Sequence, residues 1–172
     1  MKNKFLPIAI CAFSLCLFQF FVPTDARSSS ITFDVPSVGT IAGDIRPGDE
    51  IALSAALARY RAQIARFSAS TFPLQVFLAS EGGDIDTAMK MGRMLRENDA
   101  RTEVGPKMDC ESACVLVLAG GVERVVLHPV GVHRIFFPVL DSHLSEREIK
   151  ASYDANLLSV RAYLQEMNVA SE

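Results

Sequence analysis

Glycine and proline are scarce in this sequence, at 10 and 8 of 172 residues, which excludes a collagen-like or low-complexity chain. Charged residues make up only 22% against 49% apolar ones, so the chain does not have the composition of a disordered protein. Basic charge is not in excess either. The formal net charge is −3, which gives no general attraction for nucleic acid or anionic lipid. Acidic residues are missing altogether before Asp25, and only four cysteines occur. No internal repeat is evident. What is present is an apolar excess, with a mean hydropathy of +0.23, and it is unevenly spread. Five of the 11 phenylalanines lie between Phe5 and Phe21.

That cluster belongs to an N-terminal leader. Lys2 and Lys4 supply a positive start, and Phe5 to Val22 is apolar apart from Pro7, Ser14 and Gln19. Thr24-Asp25-Ala26 then offers small residues around a cleavage site, the layout of a secretory signal peptide over residues 1–26. An uncleaved membrane anchor is the alternative, because the run approaches the ~18 residues that can span a bilayer. Cleavage would remove Lys2, Lys4 and Asp25 and move the net charge from −3 to −4. It would also remove Cys11 and Cys16, leaving Cys110 and Cys114 in a periplasmic or secreted, disulfide-permissive setting. The remaining 146 of the 172 residues suit one domain, after which no membrane attachment is expected.

Residues 27–38 read as a polar linker and a short first strand, and residues 39–172 as the domain. Ile31–Val35 and Gly39–Ile45 are predicted strands on either side of Pro36. The spacing of Leu53, Leu57, Tyr60, Ile64 and Phe67 predicts a long amphipathic helix. Leu74–Ala79 is a nearly continuous apolar run, predicting a strand covered on both faces. Asp84 is placed to cap a helix that buries Ile85, Ala88, Met89, Gly92 and Leu95. Thr102–Val104 predicts a strand, Ser112–Ala119 a short buried helix, and Arg124–Leu127 and Val130–Val132 two further strands. Ser145-Glu146-Arg147-Glu148 is a capping box opening a last helix with Ile149, Tyr153, Leu157, Val160, Leu164 and Met167 on its apolar side. Strands alternating with helices predict an α/β domain.

Three clusters could carry chemistry. In Glu81-Gly82-Gly83-Asp84, two glycines between a strand and a helix let backbone N–H groups point outward, toward an anion or a developing oxyanion. An ordinary strand-to-helix turn explains the same residues. In Cys110-Glu111-Ser112-Ala113-Cys114, Ser112 reads as a helix N-cap or as a nucleophile beside the next backbone N–H. In Val130-Gly131-Val132-His133-Arg134, His133 is a general base or a hydrogen-bonded structural histidine. Cys110 and Cys114 are a disulfide or two buried thiols. A zinc site recruiting His128 and His133 would lack a close histidine pair, so no metal is expected. His143 reads as surface loop.

The order of these clusters resembles the ClpP/crotonase superfamily, most closely the exported ClpP-like serine-peptidase homologues of bacteria. The resemblance runs from about Gly39 to His133. It comprises Gly39-Thr40-Ile41-Ala42-Gly43-Asp44-Ile45, then Leu78-Ala79-Ser80-Glu81-Gly82-Gly83-Asp84-Ile85, where Glu81 replaces the proline of the family's Ser-Pro-Gly-Gly. Cys110-Glu111-Ser112-Ala113-Cys114 occupies the nucleophile motif, followed by Gly120-Gly121, Val122-Glu123-Arg124 and Gly131-Val132-His133.

The resemblance implies a single α/β domain of stacked strand–strand–helix turns. It also implies a serine hydrolase in which Ser112 attacks a carbonyl, His133 takes its proton, and the amides of Gly82, Gly83 and Ala113 hold the oxyanion. In the family the third member, an acid, lies beyond a further long helix. Here the chain stops at Glu172, short at that end. Asp141 and Asp154 are the carboxylates within reach in sequence, and Asp141, in a stretch read as loop, is the candidate. A serine–lysine dyad, as in signal-peptide-peptidase relatives, would instead use Lys90 or Lys107. The implied substrate is a peptide or unfolded protein, with no cofactor. No ATPase partner is expected, since ATP is absent outside the cytoplasmic membrane. A homo-oligomer is in keeping with the family. The competing reading is a catalytically silent module that binds peptides or proteins through the same groove. Thioester chemistry of the crotonase kind fits less well, because acyl-CoA is cytoplasmic.

Overall fold

A computed structural model describes residues 29–35, 37–66, 73–133 and 145–169. The leader of residues 1–26, Phe67, Asp141 and His143 lie outside the described residues.

The strand β1 (Ser30–Val35) turns back antiparallel onto β2 (Val38–Ala42). The helix α1 (Asp49–Ile64) follows, with Leu53, Leu57 and Tyr60 buried as their spacing predicts, together with Ala56. Next comes β3 (Gln75–Ala79), parallel to β2 with Thr40 opposite Phe77. Its faces differ from expectation: Val76 and Leu78 are fully buried, whereas Gln75, Phe77 and Ala79 are only half-buried. The apolar run is covered fully on one side.

Asp84 caps α2 (Ile85–Glu97) by accepting the Thr87 N–H at 2.8 Å. A side chain of this kind satisfies one of the N–H groups that the first helical turn leaves without a partner. Then β4 (Arg101–Val104) is followed by β5 (Cys110–Glu111), α3 (Cys114–Ala119), β6 (Glu123–Val126), β7 (Val130–Gly131) and α4 (Glu146–Glu166). The main sheet has the order β1-β2-β3-β4-β6, parallel beyond its first pair. The second sheet is the parallel pair β5-β7, which adjoins the end of β3 through a bridge between Ser80 and Cys110. Ile41, Val76, Leu78 and Val104 of the main sheet join Leu53, Leu57, Met91, Leu95 and Val117 of the helices in one contiguous core. Full burial of each of these side chains contributes roughly 1.5–3 kcal/mol.

The short helix α3 is held chiefly at its C-terminal end. Its late carbonyls, which no intrahelical N–H can reach, accept from side chains of four other elements. Tyr163 Oη donates to Leu116 O at 2.7 Å and Thr102 Oγ1 to Leu118 O at 2.8 Å. Arg124 Nε and Arg96 donate to Ala119 O at 3.0 and 3.2 Å, and both also donate to Met167 O. Burial pushes the Tyr163 phenol far above its ordinary pKa, so it remains a neutral donor. Arg93 lies over its ring, 5.1 Å from the centroid, and forms an ion pair with Glu166 at 2.8 Å.

These contacts anchor only the C-terminal end of α4. Its capping box forms as predicted, with Ser145 N donating to the Glu148 carboxylate at 2.7 Å. The predicted apolar face is the inward one: Tyr153, Leu157, Val160 and Leu164 are half-buried and Met167 is fully buried. Ile149, at its N-terminal end, is exposed, and Tyr163, beside that face, is buried completely. Tyr163→Phe is expected to lower stability by about 1–2 kcal/mol, since it leaves the buried Leu116 carbonyl unpaired. Urea unfolding measures this, and an unchanged midpoint at unchanged slope would contradict it.

Candidate active site

The end of β3 sets the first wall. Ser80 is buried and pairs with Cys110, donating its N–H to Asp109 O at 2.8 Å and accepting from Glu111 N at 3.0 Å. The chain then reverses through Gly82 and Gly83, at φ +105° and +138°, a region that side chains with a Cβ rarely enter. Both positions are also crowded. A Cβ on Gly82 would sit 2.7 Å from Ser112 Cβ, and one on Gly83 would sit 2.1 Å from Ile45 O. The turn is fixed by Ile45, whose N–H donates to Gly82 O at 2.7 Å and whose carbonyl accepts from Asp84 N at 2.8 Å.

The two glycine amides are not equivalent. Gly82 N donates to Ser80 Oγ at 3.1 Å, and Gly82 is buried behind Ser112. Its expected part in an oxyanion hole is therefore corrected: that N–H is already committed within the turn. Gly83 is exposed, and neither its N–H nor that of Ala113 enters a backbone hydrogen bond among the described residues.

The second wall is the segment from β5 to α3. Ser112 was expected within the helix, with capping as one of its two readings. The helix instead starts at Cys114, and no side chain caps it. Ser112 adopts φ +52°, left-handed backbone that is costly for a non-glycine residue. Its N–H donates to Gly131 O at 2.7 Å, which ties the turn to β7. Cys110 and Cys114 are joined in a disulfide with their Cα atoms 5.3 Å apart, both buried. The bond closes a short ring around Ser112 and removes both thiols as metal ligands. His128 lies instead 3.6 Å from the Asp109 carboxylate.

The third wall comes from the residues after β7 and from the end of α4. A cavity of about 600 Å³ is lined by Glu81, Gly83, Ser112, Ala113 and His133, which sequence clusters separated by up to 52 positions contribute. The rest of its lining is largely apolar: Ile85, Val115, Leu116, Leu118, Val160 and Leu164, with Arg124 the other charged residue. Arg124 has its pKa lowered by burial and by the neighbouring Arg96. The contribution of α4 to this wall was not anticipated from sequence. Val160 and Leu164 were recognised as apolar-face residues, but nothing in their spacing shows which element that face meets.

The remaining candidates are placed elsewhere. Lys90 pairs with Glu50 at 3.6 Å, and Lys107 lines a second, smaller cavity of about 360 Å³ with Asp44, Ser80, Glu81 and Asp109. Neither lysine lines the Ser112 cavity, so the serine–lysine alternative is not supported. Asp154 pairs with Lys150 at 2.6 Å on the exposed side of α4.

This largely parallel sheet, the two-stranded sheet beside it and the turn that carries Ser112 define an α/β protein with a ClpP-like fold. Among solved structures, the chain is similar to a variant of ClpP1 from Listeria monocytogenes, with 17% sequence identity and a TM-score of 0.58. The match covers 79% of this chain and 74% of that one. No family model matches the chain, and no curated protein matches it in sequence. At this identity the likeness shows the fold.

Proposed function

We propose that the chain is an exported serine hydrolase of the peptidase kind, working without ATP on short or unfolded peptides. The observation that carries this reading is the meeting of Ser112, His133, Gly83 and Ala113 in the lining of one cavity. The left-handed backbone at Ser112 supports it further: the turn holds a serine in a costly conformation in which its hydroxyl caps no helix.

In this mechanism, Ser112 Oγ attacks the substrate carbonyl carbon as His133 takes the hydroxyl proton. The N–H groups of Gly83 and Ala113 donate to the developing oxyanion. His133 then gives the proton to the departing amine as the C–N bond breaks, leaving an acyl ester on Ser112. Water, deprotonated by His133, hydrolyses that ester and restores both residues. Asp141 is the residue assigned to orient the imidazole. The apolar lining around Leu116, Leu118 and Leu164 suits an apolar side chain on the acyl side of the scissile bond.

A fluorophosphonate probe tests the reading, because it phosphonylates only an activated serine. Incubation of the full chain followed by peptide mass spectrometry is expected to place the adduct on Ser112. Absence of any adduct on well-folded protein would overturn the hydrolase assignment in favour of a silent peptide-binding module.

A further inference from the structure

Glu81 is the residue that the mechanism leaves without a role. It is exposed and lines both cavities: the large apolar one that holds Ser112 and His133, and the smaller polar one with Asp44, Lys107 and Asp109. The other two carboxylates of the smaller cavity have cationic or titratable neighbours. Asp44 pairs with Arg46 at 3.3 Å, and Asp109 lies 3.6 Å from His128. Glu81 makes no ion pair or side-chain hydrogen bond with any described residue, and Lys107, in the same cavity, is not paired with it.

Its position in the chain is consequential. Glu81 stands two residues before Gly83, whose N–H is one of the two proposed oxyanion donors. A carboxylate there opposes negative charge developing on the substrate oxygen, since like charges repel across a partly solvated gap. A neutral residue would serve the turn equally well, because the conformation rests on the glycines. The disadvantage disappears when the substrate brings a positive group that sits between the two cavities.

We infer that Glu81 is a specificity-determining residue that recognises a cationic group on the substrate, selecting peptides in which a lysine or arginine follows an apolar residue. The apolar side chain would occupy the larger cavity, and the basic one would reach Glu81 at its junction with the smaller. The inference rests on the acyl-transfer reading for where the scissile bond lies, but not for the charge preference itself.

Two fluorescein-labelled peptides, alike except for a Leu-Lys or Leu-Gln pair, provide the test. Their Kd values are measured by anisotropy on the full chain carrying Ser112→Ala, which prevents turnover, with Glu81 intact or as Glu81→Gln. The lysine peptide is expected to bind about fivefold more tightly when Glu81 is present, the factor for unit charges ~4 Å apart in water. Glu81→Gln is expected to bring the ratio close to one, and added salt to shrink it in the Glu81 protein. Equal Kd values for the two peptides, or a ratio that survives Glu81→Gln, would overturn the inference. The outcome is separable from the hydrolase assignment: a Glu81-dependent ratio without fluorophosphonate labelling removes the chemistry and keeps the preference, and labelling without the ratio does the reverse.

Discussion

Ser112→Ala protein is expected to cleave an apolar reporter peptide at least ~10³-fold more slowly than wild type, with its thermal midpoint shifted by no more than a few degrees. The contrast follows from the backbone. The turn at Ser112 is fixed through main-chain groups, by the bond from its N–H to Gly131 O at 2.7 Å and by the flanking disulfide. Neither depends on the hydroxyl. Alanine occupies left-handed backbone at a cost similar to that of serine, so the fold loses little while the nucleophile is lost entirely. His133→Ala is expected to cause a loss of similar order, and the double variant to be little worse than either single one. Residues that act in one proton-transfer unit are strongly non-additive in this way. Steady-state kinetics on the three variants decides the matter. Losses that multiply in the double variant would mean that Ser112 and His133 act separately, and undiminished turnover in Ser112→Ala would place the nucleophile elsewhere.

Gly83→Ala is expected to damage both stability and chemistry. Its φ of +138° is closed to residues with a Cβ, which costs roughly 1–3 kcal/mol in backbone strain. The new Cβ would also sit 2.1 Å from Ile45 O and 2.9 Å from Ile45 N. These are backbone atoms, so relief requires moving the main chain, and the two hydrogen bonds between Ile45 and this turn are lost or weakened. A total destabilisation of about 3 kcal/mol or more follows. The N–H of residue 83 would swing away from the cavity at the same time. Loss of one oxyanion donor typically costs about 10²–10³ in rate. Chemical denaturation gives the first quantity. Fluorophosphonate labelling at a temperature where the variant is folded gives the second. A variant with wild-type midpoint and wild-type labelling would show that the turn is not under the constraint described.

Much of the chain organisation was legible from residues alone because it depends on near neighbours. Asp84 and the Ser145–Glu148 capping box act over three positions, and both form as read. The buried positions of α1 repeat with the helical period. The disulfide spans four positions, and its partners are the only two cysteines after Cys16. The order of glycine turn, serine and histidine was also readable, and with it the ClpP-like fold.

Other features depended on segments far apart in sequence. The two-residue strand β5 is too short to carry a pattern, and exists because β7 and Ser80 lie beside it. Tyr163, beside the apolar face of α4 rather than on it, is fully buried because Gly92, Leu116 and Arg93 of other elements surround it. Gly82 and Gly83 look interchangeable as letters, yet Ser80 Oγ engages one N–H and not the other.

The sequence by itself determined an α/β chain with an apolar N-terminal run, its helix caps, its cysteine pair and the residues that could act as nucleophile and base. Only the tertiary structure decided that Ser112 occupies a left-handed turn rather than a cap, and that the apolar end of α4 closes a cavity over it. The reason is physical. Caps and periodicity are set by interactions within one or two turns of chain, whereas the turn at Ser112 is held by Gly131 of β7, a strand that sequence spacing cannot bring beside it.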